Sequence, residues 1–206
     1  MNDDRELVFE RIRRALATAS KPCAMPEYDA SIAVAERVLA NKPLREAFAE
    51  RLGRVRGILF TDAPSLVAWL AERGAYHGYV DPALSPLLAP AFSPNFTLEG
   101  ELSVRRIDDY AFGITRAVGA IAETGSVILN DETSSRRLAA LAPWIHVAVV
   151  RESELFRDVG QALRSLGDDP NVIWCTGPSK TADVEGILIE NVHGPGEQAV
   201  LLLPSL

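Results

Sequence analysis

Apolar residues recur along this chain with two different periods, and the change between them divides it. Over residues 3–19, Leu7, Ile12, Ala15 and Leu16 fall roughly on one helical face, with Arg11, Arg13 and Arg14 elsewhere on the wheel, which predicts an amphipathic helix. Residues 20–28 carry Pro22 and Pro26 and no periodicity, so they read as a linker. A second helical region is expected from about Ser31 to Leu52, with a break at Pro43. The chain therefore reads as a helical arm over residues 1–54 followed by a main domain over residues 55–206.

From Gly57 short apolar runs take over. Gly57–Thr61 is long enough for a buried strand; Asp62 can cap the next helix, Pro64 suits its first turn, and Gly74 ends it. Tyr76–Val80 is a weaker strand. Residues 81–99 carry prolines at 82, 86, 90 and 94, which predicts a loop with one short helix. Ala111–Thr115, Ala117–Ala122 and Ser126–Leu129 are candidate strands, Ser134–Leu141 is helical, and Ile145–Val150 is the clearest strand. Ser153–Leu166 places Leu155, Phe156, Val159, Ala162, Leu163 and Leu166 on one side, which predicts a single helix. Val172–Cys175, Ile187–Asn191 and Ala199–Leu203 complete the strands. Strands alternating with helices predict an α/β fold with a mostly parallel sheet flanked by helices.

Composition narrows the function classes. The 206 residues carry 21 basic and 28 acidic side chains, a formal charge of −7, so a nucleic-acid partner would need a local basic patch. Arg51, Arg54 and Arg56 come closest, and Glu50 and Asp62 dilute them. No stretch of about 18 apolar residues predicts a membrane span. The N-terminus has no apolar core typical of a leader peptide, so a cytoplasmic protein is expected. Cys23 and Cys175 stand far apart with no CxxC pair, so free thiols are favoured over a disulfide, and this chain alone supplies no cysteine set for an iron–sulfur cluster or zinc. Three histidines without metal-ligand spacing argue against a metal site. Trp69 and Trp144 lie beside expected core positions, and His146 inside an apolar strand reads as a satisfied core residue.

Ligands of open α/β sheets bind outside the carboxyl ends of strands, and three segments following expected strands carry small polar residues. In Glu123-Thr124-Gly125-Ser126, hydroxyls and free N–H groups can hold an anionic oxygen and Glu123 can act as a base. The same residues also suit a hairpin turn, which spacing alone favours. Thr176–Glu185 can open a helical turn whose N–H groups, with Lys180, Ser179 and Thr181, favour an anion. A plain capped turn with Asp183 and Glu185 solvated fits equally well. His193 beside Gly194-Pro195 can carry a proton, although a loop histidine bonded to backbone is the commoner arrangement.

Taken in order, Ala120–Leu129 (Ala-Ile-Ala-Glu-Thr-Gly-Ser-Val-Ile-Leu), Arg137-Leu138, Pro143, Ile145–Val150, Gly177–Glu185 (Gly-Pro-Ser-Lys-Thr-Ala-Asp-Val-Glu) and Val192-His193-Gly194-Pro195 resemble the LUD domain family in its lactate utilization C type. The resemblance spans about residues 55–203. It implies a Rossmann-like fold similar to sugar-phosphate isomerases and CoA-transferases. It also implies a cluster-free subunit of a bacterial system that oxidises L-lactate to pyruvate, with no cofactor in this chain and iron–sulfur clusters on its oxidoreductase partners. Glu123, Thr124, Gly125, Ser126, Gly177, Ser179, Lys180, Thr181, Asp183, Glu185 and His193 match motif positions. They are expected to line one small-anion pocket, with Lys180 and loop N–H groups holding a carboxylate or phosphate and Glu123 handling a hydroxyl or proton. Two other readings stay open: a self-sufficient enzyme acting on a sugar phosphate or acyl-CoA, and a ligand-binding or assembly module without chemistry.

Overall fold

A computed structural model of the chain describes residues 2–18, 42–130, 136–166, 171–182, 188–190 and 193–204. They belong to two compact units, residues 1–31 and 32–206. The first unit is represented by α1 (Asn2–Ala17), on which Leu7, Val8, Ile12 and Leu16 are exposed.

In the second unit, α2 (Leu44–Arg54) follows Pro43, whose carbonyl accepts the first helical hydrogen bond from Ala47 N–H. The helical arm expected to run to residue 54 is therefore divided: α2 sits in the second unit and buries Phe48 and Leu52 completely in its core. Burial of each of these side chains contributes about 2 kcal/mol. Strand β1 (Ile58–Phe60) leads into α3 (Ala63–Glu72), whose N-cap Asp62 accepts a hydrogen bond from Ser65 N–H at 2.8 Å. The unit continues through β2 (His77–Val80), α4 (Ser85–Leu88), β3 (Thr97–Glu99) and β4 (Phe112–Arg116). Then come β5 (Gly119–Ile121), β6 (Ser126–Asn130), α5 (Arg137–Leu141), β7 (Ile145–Arg151) and β8 (Leu155–Phe156). The last elements are α6 (Val159–Ser165), β9 (Val172–Cys175), β10 (Lys180–Ala182), β11 (Leu188–Glu190) and β12 (Glu197–Leu203).

Six strands form one wholly parallel sheet in the order β1-β12-β7-β4-β2-β3. Both faces are covered, which explains why β7 and β12 read as continuous apolar runs rather than alternating ones. Ile145, Val147, Val149, Ala199 and Leu201 face α3 and α4. Ala148, Val150, Val200 and Leu202 face α2 and a second sheet. That second sheet has the order β8-β5-β6-β9, and α6 packs on its outer face through Ala162 against Ile121 and Ile128. The expected mostly parallel α/β architecture is thus present, with an additional mixed sheet laid against it.

Three expectations differ from the structure, and one falls partly outside the described residues. Ser153–Leu166 is not one helix: Leu155 and Phe156 pair with Ala120 and Ile121 as β8, and Asp158 restarts the chain as α6 by accepting Gln161 N–H at 2.7 Å. Residues 81–99 hold a strand, β3, that pairs with β2. Trp144 is 56% exposed, whereas Trp69 is buried against Phe60. Ser134 lies outside the described residues, and the described helix there begins at Arg137. Among the described residues no helix is long and apolar enough to cross a membrane.

Candidate functional site

Parallel strands end together, and their carboxyl ends expose backbone and side chains that no further strand covers. In the six-stranded sheet a crevice of about 680 Å³ opens at this edge, where β4, β7 and β12 end. Arg116, Val149, Arg151 and Leu203 line its floor, and Leu84 and Leu87 its wall. Arg116 stands in register with Val149 on the neighbouring strand. Arg151 lies two residues further along β7, about 7 Å at strand rise.

A buried acid positions the first of these arginines. Asp81, only 3% exposed, follows β2 directly. Its Oδ2 accepts Arg116 Nε–H at 3.1 Å and its Oδ1 accepts Ala83 N–H at 2.8 Å. Its backbone N–H donates to Ile114 O, and its own carbonyl receives Leu84 N–H and Ser85 N–H. One residue thus ties the end of β2 to β4, starts the turn toward α4, and holds a guanidinium over the crevice. The nearby Tyr79 phenol is pushed up from its ordinary pKa by burial and then by the Asp81 charge. No carboxylate pairs with the Arg151 guanidinium among the described residues, because Glu154 turns back to accept Arg151 backbone N–H at 2.8 Å.

The residues singled out from the sequence lie elsewhere. Glu123, Thr124 and Gly125 form the turn of the β5–β6 hairpin, as spacing favoured, with Gly125 N–H donating to Ile121 O. Glu123 Oε2 accepts Val159 N–H at 3.4 Å, so its carboxylate sits at the start of α6. Thr124 Oγ1 and Ser126 Oγ are 2.7 Å apart, and Ser126 Oγ is 2.7 Å from Thr176 Oγ1. This chain of hydroxyls joins the first loop to the start of the second, as β6–β9 pairing requires. Both loops press on the C-terminal end of α2: a Cβ on Gly125 would lie 2.5 Å from Arg51 C, and one on Gly177 2.0 Å from Val55 O.

The second loop meets the third. Ser179 N–H donates to Pro195 O at 2.8 Å, and Gly196 and Glu197 N–H both donate to Trp144 O. The 177–179 and 193–196 segments therefore gather where β7 and β12 begin, at the opposite end of the sheet from the crevice. The strands they follow, β9 and β11, belong to other sheets. Of the 176–185 segment, which can be read as a helical start or a capped turn, the described residues Lys180, Thr181 and Ala182 form β10 and pair with Glu190, Ile189 and Leu188. Antiparallel pairing with β11 holds Lys180–Ala182 extended, so these three residues present no fan of N–H groups. Lys180 and His193 are exposed. Asp183 and Glu185 lie outside the described residues. Among the described residues no group of three or more His, Cys, Asp and Glu converges as metal ligands.

The LUD domain model matches residues 91–203, more than half of the chain. The chain belongs to the LUD domain family. The resemblance read from the 120–129, 177–185 and 192–195 motifs is thereby borne out. The chain is similar to lactate utilization protein C of Deinococcus radiodurans, 32% identical over 110 residues, covering 51% of this chain and 52% of that protein. It is also similar to lactate utilization protein C of Bacillus subtilis, 30% identical over 113 residues, with 51% and 47% covered. For lactate utilization protein C of Shouchella clausii the match is 30% over 140 residues, with 65% and 59% covered. The chain spans about half the length of the first two relatives. A crystal structure of a DUF162 family protein from Deinococcus radiodurans shares the fold, with TM-score 0.56 at 22% identity over 78% of this chain and 96% of that one.

Arg116, Arg151 and Glu154 fall inside the matched LUD domain, and Asp81 ten residues before it. Sequence reasoning missed all four. The available signal was a charged residue closing an apolar strand: Asp81 after Tyr79-Val80, Arg116 after Ile114-Thr115, and Arg151 after Val149-Val150.

Proposed function

We propose that this LUD-domain chain serves in lactate utilization as a cluster-free component, and that its anion site is the carboxyl-edge crevice. The observation that carries the reading is Arg116, held by buried Asp81 at the strand ends where open α/β sheets bind ligands. Arginine is the side chain suited to a carboxylate, which it binds through paired N–H donors. The names of the relatives point to lactate utilization; that the process is L-lactate oxidation, with iron–sulfur clusters on partner oxidoreductase subunits, is part of the proposal. In this reading the chain binds and orients an anion while electrons pass through those partners.

The experiment is growth on L-lactate as sole carbon source in the source organism. Deletion of the gene abolishes growth on lactate but not on glucose. The wild-type gene restores it, and an Arg116→Ala gene expressed at the same protein level does not. A deletion strain that grows normally on lactate overturns the proposal. Restoration by Arg116→Ala as complete as by wild type overturns the assignment of the crevice.

A further inference from the structure

We infer that the crevice takes an organic anion much larger than lactate, one with an apolar body and a single anionic head. The inference rests on the crevice as the anion site and does not need lactate to bind there. Size comes first. A lactate ion has six heavy atoms and displaces roughly 100 Å³, about three waters' share of liquid volume. The crevice holds about 680 Å³, within the range that accommodates cofactor-sized ligands. Lactate alone would leave most of it to solvent.

Lining chemistry comes second, and it is divided. The guanidiniums of Arg116 and Arg151 stand at the ends of adjacent strands, while Leu84, Leu87, Val118 and Leu203 supply the apolar surface. Leu87, on α4, is 54% exposed, so a large leucine faces solvent at the wall of a charged crevice. A ligand whose apolar body covers Leu87 removes that surface from water while its head meets the arginines. A fully charged or fully apolar molecule would satisfy only one half of the lining. The head is a carboxylate or a phosphate, both of which arginine binds bidentately.

Titration calorimetry on the full chain tests this with octanoate, octyl phosphate, octyltrimethylammonium, L-lactate and inorganic phosphate. Octanoate or octyl phosphate is expected to bind one saturable site at least about tenfold more tightly than lactate or inorganic phosphate. The stronger of the two identifies the head, and the cation with the same chain shows no saturable binding. Arg151→Ala weakens the octyl anion about tenfold, as the loss of one charge-assisted contact implies. Leu87→Asn weakens it without altering the weak binding of inorganic phosphate. Both side chains are exposed, and unchanged melting temperatures certify the folds. Lactate binding as tightly as octanoate overturns the inference while leaving the lactate proposal standing. Equal binding of the octyl cation, no effect of Arg151→Ala, or no binding of either octyl anion also overturns it; the growth assay then decides the lactate role by itself.

Discussion

Replacing Gly177 with alanine measures how much the loop–helix seam contributes to stability. The residue has φ +74°, and a Cβ placed on it would lie 2.0 Å from Val55 O and 3.1 Å from Val55 C. The left-handed backbone alone costs an L-residue about 1–2 kcal/mol. The overlap is with backbone, which has no rotamer to yield, so the loop after β9 or the turn after α2 must shift, at about 1–3 kcal/mol. The expected total is about 3 kcal/mol, which lowers Tm by about 10 °C for a chain of this size. Gly74 supplies the control: it has φ +67° but nothing within 4 Å of its Cβ position. Gly74→Ala should therefore lower Tm by only about 4 °C. Thermal melts followed by far-ultraviolet circular dichroism compare the two. Equal shifts would show that the Val55 contact adds nothing, and the reasoning from close approach would fail.

Three further predictions concern titration. His146 is fully buried beside Thr115, with Nε2 and Oγ1 2.9 Å apart, and burial lowers its pKa to about 4. A folded value below the unfolded 6.5 means the unfolded chain binds more protons between those pH values, so stability drops by about 3 kcal/mol as pH is lowered from 6.5 to about 4; urea unfolding should show this slope reduced in His146→Gln, and an unchanged slope refutes it. Glu99 accepts hydrogen bonds from Tyr110, then Arg106 and His77, which hold its carboxyl at about 2. Its stabilisation is present above pH 4.5 and disappears as pH falls toward 2. Glu99→Gln should flatten that acid limb, and an identical acid limb would exclude the network. Burial pushes the Cys175 thiol up to about 11 from 9.0, so in a Cys23→Ser background its reaction with a disulfide reagent at pH 8 should be about a hundredfold slower folded than in urea; equal rates would count against it.

Much of the fold was legible because the six-stranded sheet is buried on both faces. Runs such as Ile145–Val150 and Ala199–Leu203 have no other plausible use than as central strands. The error at Ser153–Leu166 has a definite cause. Leu155, Phe156, Val159, Ala162 and Leu163 keep helical spacing, yet β5 recruits the first two into a ladder. The break was readable in Asp158-x-x-Gln161: Asp158 accepts Gln161 N–H, and Gln161 Oε1 accepts Arg157 N–H at 2.6 Å. For the site, the strand-end rule was sound but its target was not legible. Which strands share a sheet is decided by pairings such as Ile128 with Trp174, and no local pattern reveals that β9 leaves the parallel sheet. Arg116 and Asp81 escaped for the same reason, since only the β2–β4 pairing brings positions 35 apart together.

The position of β12 between β1 and β7 bears on how the molecule comes into being. During synthesis β1 leaves the ribosome well before β12, the strand with which it pairs in the sheet among the described residues. Until Glu197–Leu203 emerges, the unpaired backbone edges of β1 and β7 are open to any extended peptide, including another nascent copy. Loss of those seven residues to premature termination or a protease would leave a slot in the middle of the sheet, and such a fragment should be cleared or aggregate rather than persist as a weakened version of the whole.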